Sequence, residues 1–443
     1  MPLRMLLLKH LLNRMAFIPD IELLSLEEQE SFQYQKLKEL LLYLQNNSPF
    51  YGRRNIDIDS IQTFDDLNLI STTSKEDIQL YNQDFYCVPQ SDIIEYTATS
   101  GTLGSPVTIA LTKNDINRLA YNEYLSFELM QLTQHDIVQL MLTLDRQFMA
   151  GTAYYLGLQK NGASSIRTGP GLPSMQFDTM KRLATSTLVA VPSFLTKMIQ
   201  YAQTEKIDLS KLPVERVLCI GENIRDENFE LNALGKFILD AWDIKLYSTY
   251  ASTEMQTAFT ECEFGHGGHS HPELIILEII DDEGRGLKPG EYGEVCITTL
   301  GVEAMPLLRY RTGDICCYYI EQCGCGRKTK RLSPVIGRKK QMIKYKGTTL
   351  YPPALFDLLN QCDFINEYVV EVGLNSLEMD EITLHISTSL IVDECERKLK
   401  PFLQSQLRVI PLINYLSTSE IHAMQFASGG RKPIKFIDNR NQF

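Results

Sequence analysis

Between residues 136 and 260 short apolar runs alternate with stretches of helical periodicity, and this pattern limits the fold more than any other feature. The runs are Ile137 to Leu144, Ala163 to Ile166, Thr187 to Val191, Val217 to Ile220 and Ile244 to Tyr247. Alternation of that kind is satisfied by α/β layers, with helices covering a sheet. Upstream, Leu23 to Asn47 reads as a helix. Leu37, Leu40, Leu41 and Leu44 fall at i, i+3, i+4 and i+7, and Asn46-Asn47-Ser48-Pro49 stops the helix. Residues 51 to 90 are mixed, and Asp115 to Leu132 reads as a further helix. Beyond 270 the texture changes. Leu274 to Ile280 and Gly293 to Thr299 flank Asp-Asp-Glu-Gly and Lys-Pro-Gly-Glu, which predicts antiparallel strands. A domain boundary is expected near 337 to 347. The rest, with strands at Tyr368 to Val372 and Ile382 to Ser387 and a helix near 392 to 406, reads as a small α+β domain.

The chain has 443 residues, enough for two or three domains and a substantial core. A formal charge of -12 argues against nucleic acid or an anionic membrane as the main partner. No apolar run approaches the roughly 18 residues of a membrane span. The N-terminus faintly resembles a signal sequence, but Lys9 interrupts its apolar run and no small-residue cleavage site follows, so a surface or docking helix is expected. Ten cysteines in so long a chain do not make a disulfide scaffold; reduced thiols in the cytoplasm are expected.

Polar islands interrupt this layout. The first, Tyr96 to Pro106, combines hydroxyl residues with Gly101 and Gly104 between two apolar runs and contains no carboxylate. Glycine lets successive backbone N–H groups converge, which suits a phosphate cradle, although a Ser/Thr/Gly turn between strands is also an ordinary hairpin. The P-loop pattern Gly-x-x-x-x-Gly-Lys-[Ser/Thr] is absent. Further islands are Tyr250-Ala251-Ser252-Thr253-Glu254, Tyr310 to Asp314, and Gly337-Arg338 followed by Lys346-Gly347. Cys262, His269, Cys323 and Cys325 form a separate set. One histidine and three cysteines, with glycines for tight turns, suit tetrahedral Zn²⁺, and with no open position the zinc would be structural. His266, His271, Cys316 and Cys317 are competing ligands.

In order and spacing the islands resemble the ATP-binding motifs of the adenylate-forming superfamily, the acyl-CoA synthetases and luciferases. Val191-Pro192-Ser193-Phe194, the Gly221-Glu222 pair and the cysteine/histidine set resemble its phenylacetate–CoA ligase branch, some members of which carry such a zinc site. The resemblance spans about residues 35 to 440. It implies an α/β fold: a large N-terminal domain of layered sheets and helices, residues 1–337, binding ATP and acid, and a small mobile α+β C-terminal lid domain, residues 338–443.

The implied activity is adenylation of a carboxylic acid, aryl or arylacetic acid favoured, by Mg-ATP, followed by acyl transfer to coenzyme A. An acyl carrier protein is the alternative acceptor, and a non-catalytic nucleotide- or acyl-binding relative is the alternative from another class. A homodimer is an expected assembly. Residue by residue, Thr99, Ser100, Gly101, Thr102 and Gly104 would cradle the β- and γ-phosphates, and Glu254 would hold Mg²⁺. Thr253 would bond the α-phosphate, Tyr250 would stack on adenine, and Ala251, Ser252, Gly221 and Glu222 would complete the nucleotide site. Asp314 would accept the ribose hydroxyls and Arg338 would reach ribose or phosphate. Singly, Glu254 reads as a surface acid and Asp314 as a turn residue; as a matched set they read as a site. Ser428-Gly429-Gly430-Arg431-Lys432-Pro433 resembles the C-terminal lysine loop, with Lys432 as the adenylation lysine and Lys435 as runner-up. Three departures stand out. Ser105 replaces the lysine that commonly ends the phosphate loop, Ile220 replaces the first glycine of Gly-Gly-Glu, and Lys340 stands at the inter-domain hinge where many members have aspartate.

Overall fold

A computed structural model describes residues 18–99, 107–345, 348–375, 379–407, 409–427 and 433–440. Its N-terminal helical stretch is two helices, α1 (Asp20–Leu23) and α2 (Leu26–Asn47), where the leucine periodicity predicted one. The break has a local cause. Ser25 takes extended backbone angles, its hydroxyl accepts the Glu28 N–H, and the Glu28 carboxylate accepts the Ser25 N–H. That reciprocal cap starts a new helix. The stripe of Leu37, Leu40, Leu41 and Leu44 is buried, each leucine contributing about 1.5–3 kcal/mol of burial.

The chain forms two compact units. The first takes the described residues up to Leu231, with Gly235–Thr312 and Cys316–Pro334. After helix α3 (Lys75–Tyr81), strands β1 (Ile93–Ala98) and β2 (Thr108–Thr112) form an antiparallel hairpin. Helix α4 (Lys113–Leu129) follows, capped by Thr112. Then strands and helices alternate as the apolar runs predict: β3 (Ile137–Leu140), α5 (Met149–Asn161), β4 (Ser164–Arg167), α6 (Pro173–Leu183), β5 (Thr187–Ala190), α7 (Pro192–Thr204), β6 (Arg216–Cys219) and β7 (Lys245–Ser252). The strands β8 (Thr257–Thr260), β9 (Gly268–His269), β10 (Ile275–Ile280), β11 (Gly293–Thr299), β12 (Tyr310–Cys316), β13 (Tyr318–Tyr319) and β14 (Arg331–Leu332) complete the run. One sheet has the order β13-β14-β9-β8-β7-β6-β5-β3-β4. It is parallel from β4 to β7 and antiparallel from β7 to β13. A second sheet places β10, β11 and β12 side by side.

The second unit takes Asn232–Leu234, Gly313–Ile315 and the described residues from Val335 onward. Asp314 and Ile315 pair with Arg338 and Gly337 of β15 (Gly337–Arg338), and β16 (Ile343–Tyr345) pairs with β17 (Thr348–Leu350). Helix α8 (Pro352–Asn360) leads to β18 (Ile365–Leu374) and β19 (Asp380–Thr388), then α9 (Val392–Leu407), β20 (Leu412–Tyr415), α10 (Thr418–Gln425) and β21 (Phe436–Asp438). Their sheet has the order β20-β19-β18-β21 and buries Val370, Val372, Ile382, Leu384 and Ile386 against Leu355, Leu399 and Leu403 of the helices. No helix among the described residues is long and apolar enough to cross a membrane.

Candidate active site

Strand β7 carries the Tyr250 island because it changes partner halfway. Lys245 to Ser248 pair in parallel with β6, whereas Thr249 to Ser252 pair antiparallel with β8. Strand β6 stops at Cys219, so Ile220-Gly221-Glu222 leave the sheet beside the second half of β7. Val191-Pro192-Ser193 leave it after β5 in the same way. Three polar segments thus gather at the carboxyl ends of adjacent parallel strands, the place where open α/β sheets bind ligands. Gly221 has φ 73°, a left-handed turn open to glycine, and Glu222 accepts the Ser193 N–H at 2.8 Å, placing a carboxylate on the first turn of α7. Tyr250 lies half-buried with its ring 6.1 Å from Phe259, Ala251 is exposed, Ser252 accepts the Met255 N–H at 3.3 Å, and Thr253 is half-buried.

Glu254 is the second residue of the turn after β7 and is buried. The Tyr310 hydroxyl donates to its Oε1 at 3.4 Å, and the Lys75 ammonium lies 3.4 Å from the same oxygen. The turn is strained, since Gln256 has φ 49°. Buried Arg118 holds it: Nη1 donates to the Gln256 carbonyl at 2.7 Å, while Nε and Nη2 grip the Leu300 and Leu274 carbonyls at 2.7 and 2.6 Å. Lys75 arrives through a separate zipper. Thr73 bridges to Tyr310, its N–H donating to the Arg309 carbonyl at 2.8 Å, and Ser74 caps α3 with Asp77. The first residue of that helix is therefore a lysine, a position the helix dipole disfavours for a cation. Glu254 faces it.

Of the phosphate-loop candidate, Tyr96 to Ala98 lie on β1 and Thr99 follows them. Thr99 closes the hairpin, its N–H donating to the Val107 carbonyl at 3.0 Å and its hydroxyl accepting the Val107 N–H at 3.1 Å. Ser100, Gly101, Thr102, Gly104 and Ser105 lie outside the described residues, as do Lys346, Gly347 and Lys432. In the second unit Arg338 Nε donates to Asp314 Oδ1 at 3.0 Å. Lys435 packs over the Tyr368 ring, 4.5 Å from its centroid.

A second centre forms around the cysteines. The Sγ atoms of Cys262, Cys323 and Cys325 and a ring nitrogen of His269 lie within 4.8 Å of one another. Cys262 and Cys323 sulfurs are 3.5 Å apart, and Cys325 Sγ is 3.5 Å from His269 Nε2. In a tetrahedral zinc site with bonds near 2.3 Å the ligand atoms stand about 3.5–3.8 Å apart, so the donor set and its span fit Zn²⁺. Two turns build the cage, Gly265 N–H to Cys262 carbonyl and Gly326 N–H to Cys323 carbonyl, both 3.0 Å; Gly326 has φ 93°. The Thr329 hydroxyl meets His269 Nδ1 at 2.9 Å and leaves Nε2 facing the sulfurs. Bonds from the Cys262 and Cys323 thiols hold the Cys325 thiol far below its ordinary range, while the same bonding pushes Cys262 up. Burial lowers His269, which favours the neutral imidazole a metal needs. Of the competing ligands, His266 is exposed beside Phe229, His271 bonds Glu22, and Cys316 and Cys317 stand apart from the cluster.

Sequence reasoning missed Lys75, Arg118 and Thr329. Only Lys75 leaves a local signal, a lysine directly after the cap residue of a Ser-x-x-Asp box.

Comparison with known proteins bears on the fold and the family. Phenylacetate-coenzyme A ligase of Thermus thermophilus is 27% identical over 385 residues, 85% of this chain and 85% of the relative. The enzyme of the same name from Escherichia coli is 24% identical over 362 residues, 80% of this chain and 81% of the relative. Among solved structures, 2-hydroxyisobutyryl-CoA ligase in the postadenylation state, in complex with R3-HIB-AMP, superposes with a TM-score of 0.83 at 20% identity, covering 96% of this chain and 92% of that one. The fold is thus that of adenylate-forming CoA ligases. Residues 47–304, over half of the chain, match the family described as AMP-binding enzyme, and the chain belongs to that family.

Proposed function

We propose that this protein is an ATP-dependent, AMP-forming carboxylate–coenzyme A ligase. In the first half-reaction a carboxylate oxygen of the acid attacks the α-phosphorus of ATP, a P–O bond forms, and pyrophosphate leaves. In the second the coenzyme A thiol, giving up its proton, attacks the acyl carbonyl, and AMP leaves with the C–O bond pair. The observation that carries the reading is Glu254: a buried carboxylate at the sheet's ligand-binding end, facing an ammonium, on a turn held by a buried guanidinium.

Glu254 offers the hard oxygen ligand for Mg²⁺, which when bound offsets triphosphate charge. Thr253 donates to the α-phosphate and Tyr250 stacks on adenine beside Gly221 and Glu222. The loop from Thr99 to Gly104 cradles the β- and γ-phosphates. Ser105 removes the usual loop cation, and Lys75 stands close enough to Glu254 to supply one. Asp314 accepts the ribose hydroxyls, and Arg338, already its partner, reaches ribose or phosphate. Lys432 donates to the carboxylate and α-phosphate; the packing of Lys435 on Tyr368 supports that choice. Cys262, His269, Cys323 and Cys325 hold a structural Zn²⁺ that ties the β8–β9 loop to the chain after β13.

The acid is arylacetic. Relatives named phenylacetate- and indoleacetate–CoA ligases support this, and so do Phe148 and Leu172, large apolar side chains left exposed beyond the carboxyl ends of β3 and β4. Those relatives' names favour coenzyme A over a carrier protein. The ten cysteines form no disulfide among the described residues, which supports a reducing cytoplasmic setting. A screen of acids by pyrophosphate release tests the reading: an arylacetic acid should stimulate release, and indifference to every acid would overturn it.

A further inference from the structure

Behind the cysteine cluster lies a chain of charges that no step of the reaction uses. Arg327 follows Cys325 by two residues and is 3% exposed; its guanidinium charge interacts with the Cys325 thiol, and its Nε donates to Glu22 Oε2 at 2.6 Å. The other carboxylate oxygen of Glu22 meets His271 Nδ1 at 2.6 Å, and both residues are 0% exposed. Glu22 comes from α1, hundreds of positions away in sequence. The backbone is locked to the same loop: Lys328 N–H donates to the Glu22 carbonyl at 2.8 Å, and Gln29 Nε2 reaches the Lys328 carbonyl at 3.4 Å.

Electrostatics gives this arrangement a direction. Three thiolates and one neutral imidazole around Zn²⁺ leave a net charge of about -1 in a buried place. A buried anion needs a cation beside it, and a buried guanidinium needs its own counter-charge. Arg327 answers the first need and Glu22 the second. Without Glu22 the guanidinium would lose the carboxylate that balances its charge, in a pocket where His271 supplies no negative charge.

We infer that Glu22 is the outer-sphere anchor of the metal centre, holding Arg327 against the Cys325 thiolate, so that zinc binding and docking of helix α1 stabilise each other. The inference rests on the zinc reading above and adds a residue the ligand set does not contain. By linkage the effect runs both ways: loss of the anchor loosens the metal, and loss of the metal loosens the helix.

The test uses the full-length protein as purified, its zinc content measured first. Release of zinc to a chelating dye is then followed for wild type and Glu22→Gln, which keeps shape and removes charge. Release should be about 10- to 100-fold faster in the variant, the usual cost of losing an outer-sphere partner. Hydrogen exchange over residues 19–29 supplies the reciprocal measurement on wild type, and it should rise when chelator strips the metal. Wild type without zinc would remove the metal reading and this inference together. Wild type with zinc but an unchanged release rate in Glu22→Gln, or unchanged exchange on metal removal, would overturn the inference and leave the zinc site standing.

Discussion

Glu123 offers a prediction whose size can be worked from the structure. It lies on α4 where α5 crosses, and the crossing is so close that a Cβ at Gly157 would stand 2.5 Å from the Glu123 Cβ. One carboxyl oxygen accepts from Asn122 Nδ2 at 3.0 Å; the other is buried with no hydrogen-bond partner among the described residues. Burial pushes the group from 4.5 up to about 8. The folded protein therefore keeps this proton across a range in which the unfolded chain has lost it. A group raised in this way stabilises the fold fully below pH 4.5, and the contribution is lost as pH climbs through 8. Each unit is about 1.4 kcal/mol, tapering near the folded value, so stability should fall by about 2 kcal/mol between pH 6 and pH 8 from Glu123 alone. In Glu123→Gln that slope should vanish, whatever the substitution does to stability overall. Urea unfolding of both proteins at half-unit pH steps measures the difference. Parallel stability curves for the two proteins would refute the reasoning.

Metal analysis should find about one zinc per chain, and Cys325→Ser should lose it with a larger drop in Tm than in pyrophosphate exchange; zinc-free wild type would sink the site. Glu254→Gln should depress adenylation by about 10²–10³-fold, and near-normal exchange would make Glu254 a structural acid. Lys75→Ala should weaken adenylation by a smaller factor and leave thioester formation from a supplied acyl-adenylate unchanged; equal loss in both steps would point to misfolding. Lys432→Ala should nearly abolish adenylation yet convert supplied acyl-adenylate to thioester, while Lys435→Ala should cost stability through Tyr368 and spare both steps. A dead Lys435→Ala would move the lysine assignment.

Much of the architecture was legible because buried strands write themselves as short apolar runs. Thr187 to Val191 and Val217 to Ile220 became β5 and β6 within a residue of their ends. The cysteine set was legible for a different reason: Cys-Gly-Cys-Gly encodes a tight turn and two thiols in one short stretch, and they meet Cys262 and His269. What local pattern cannot carry is pairing across the chain. Lys75 reaches Glu254 only because Thr73 bridges to Tyr310, and Arg118 reaches Gln256 from the middle of a helix. Glu22 looks like any acid in a first helical turn until Arg327 closes on it. The split of the first helix at Ser25 was readable in principle, since Ser-x-x-Glu is a cap signature, but the leucine periodicity that follows masked it.

The central claim is that acid activation by ATP precedes transfer to a thiol, and product analysis tests it most directly. Purified protein is given Mg-ATP and an arylacetic acid, first without and then with coenzyme A, and all products are identified by mass. The account predicts acyl-adenylate and pyrophosphate in the first case, and AMP with the acyl thioester in the second. ADP and phosphate as products, or a thioester formed without an adenylate, would contradict it.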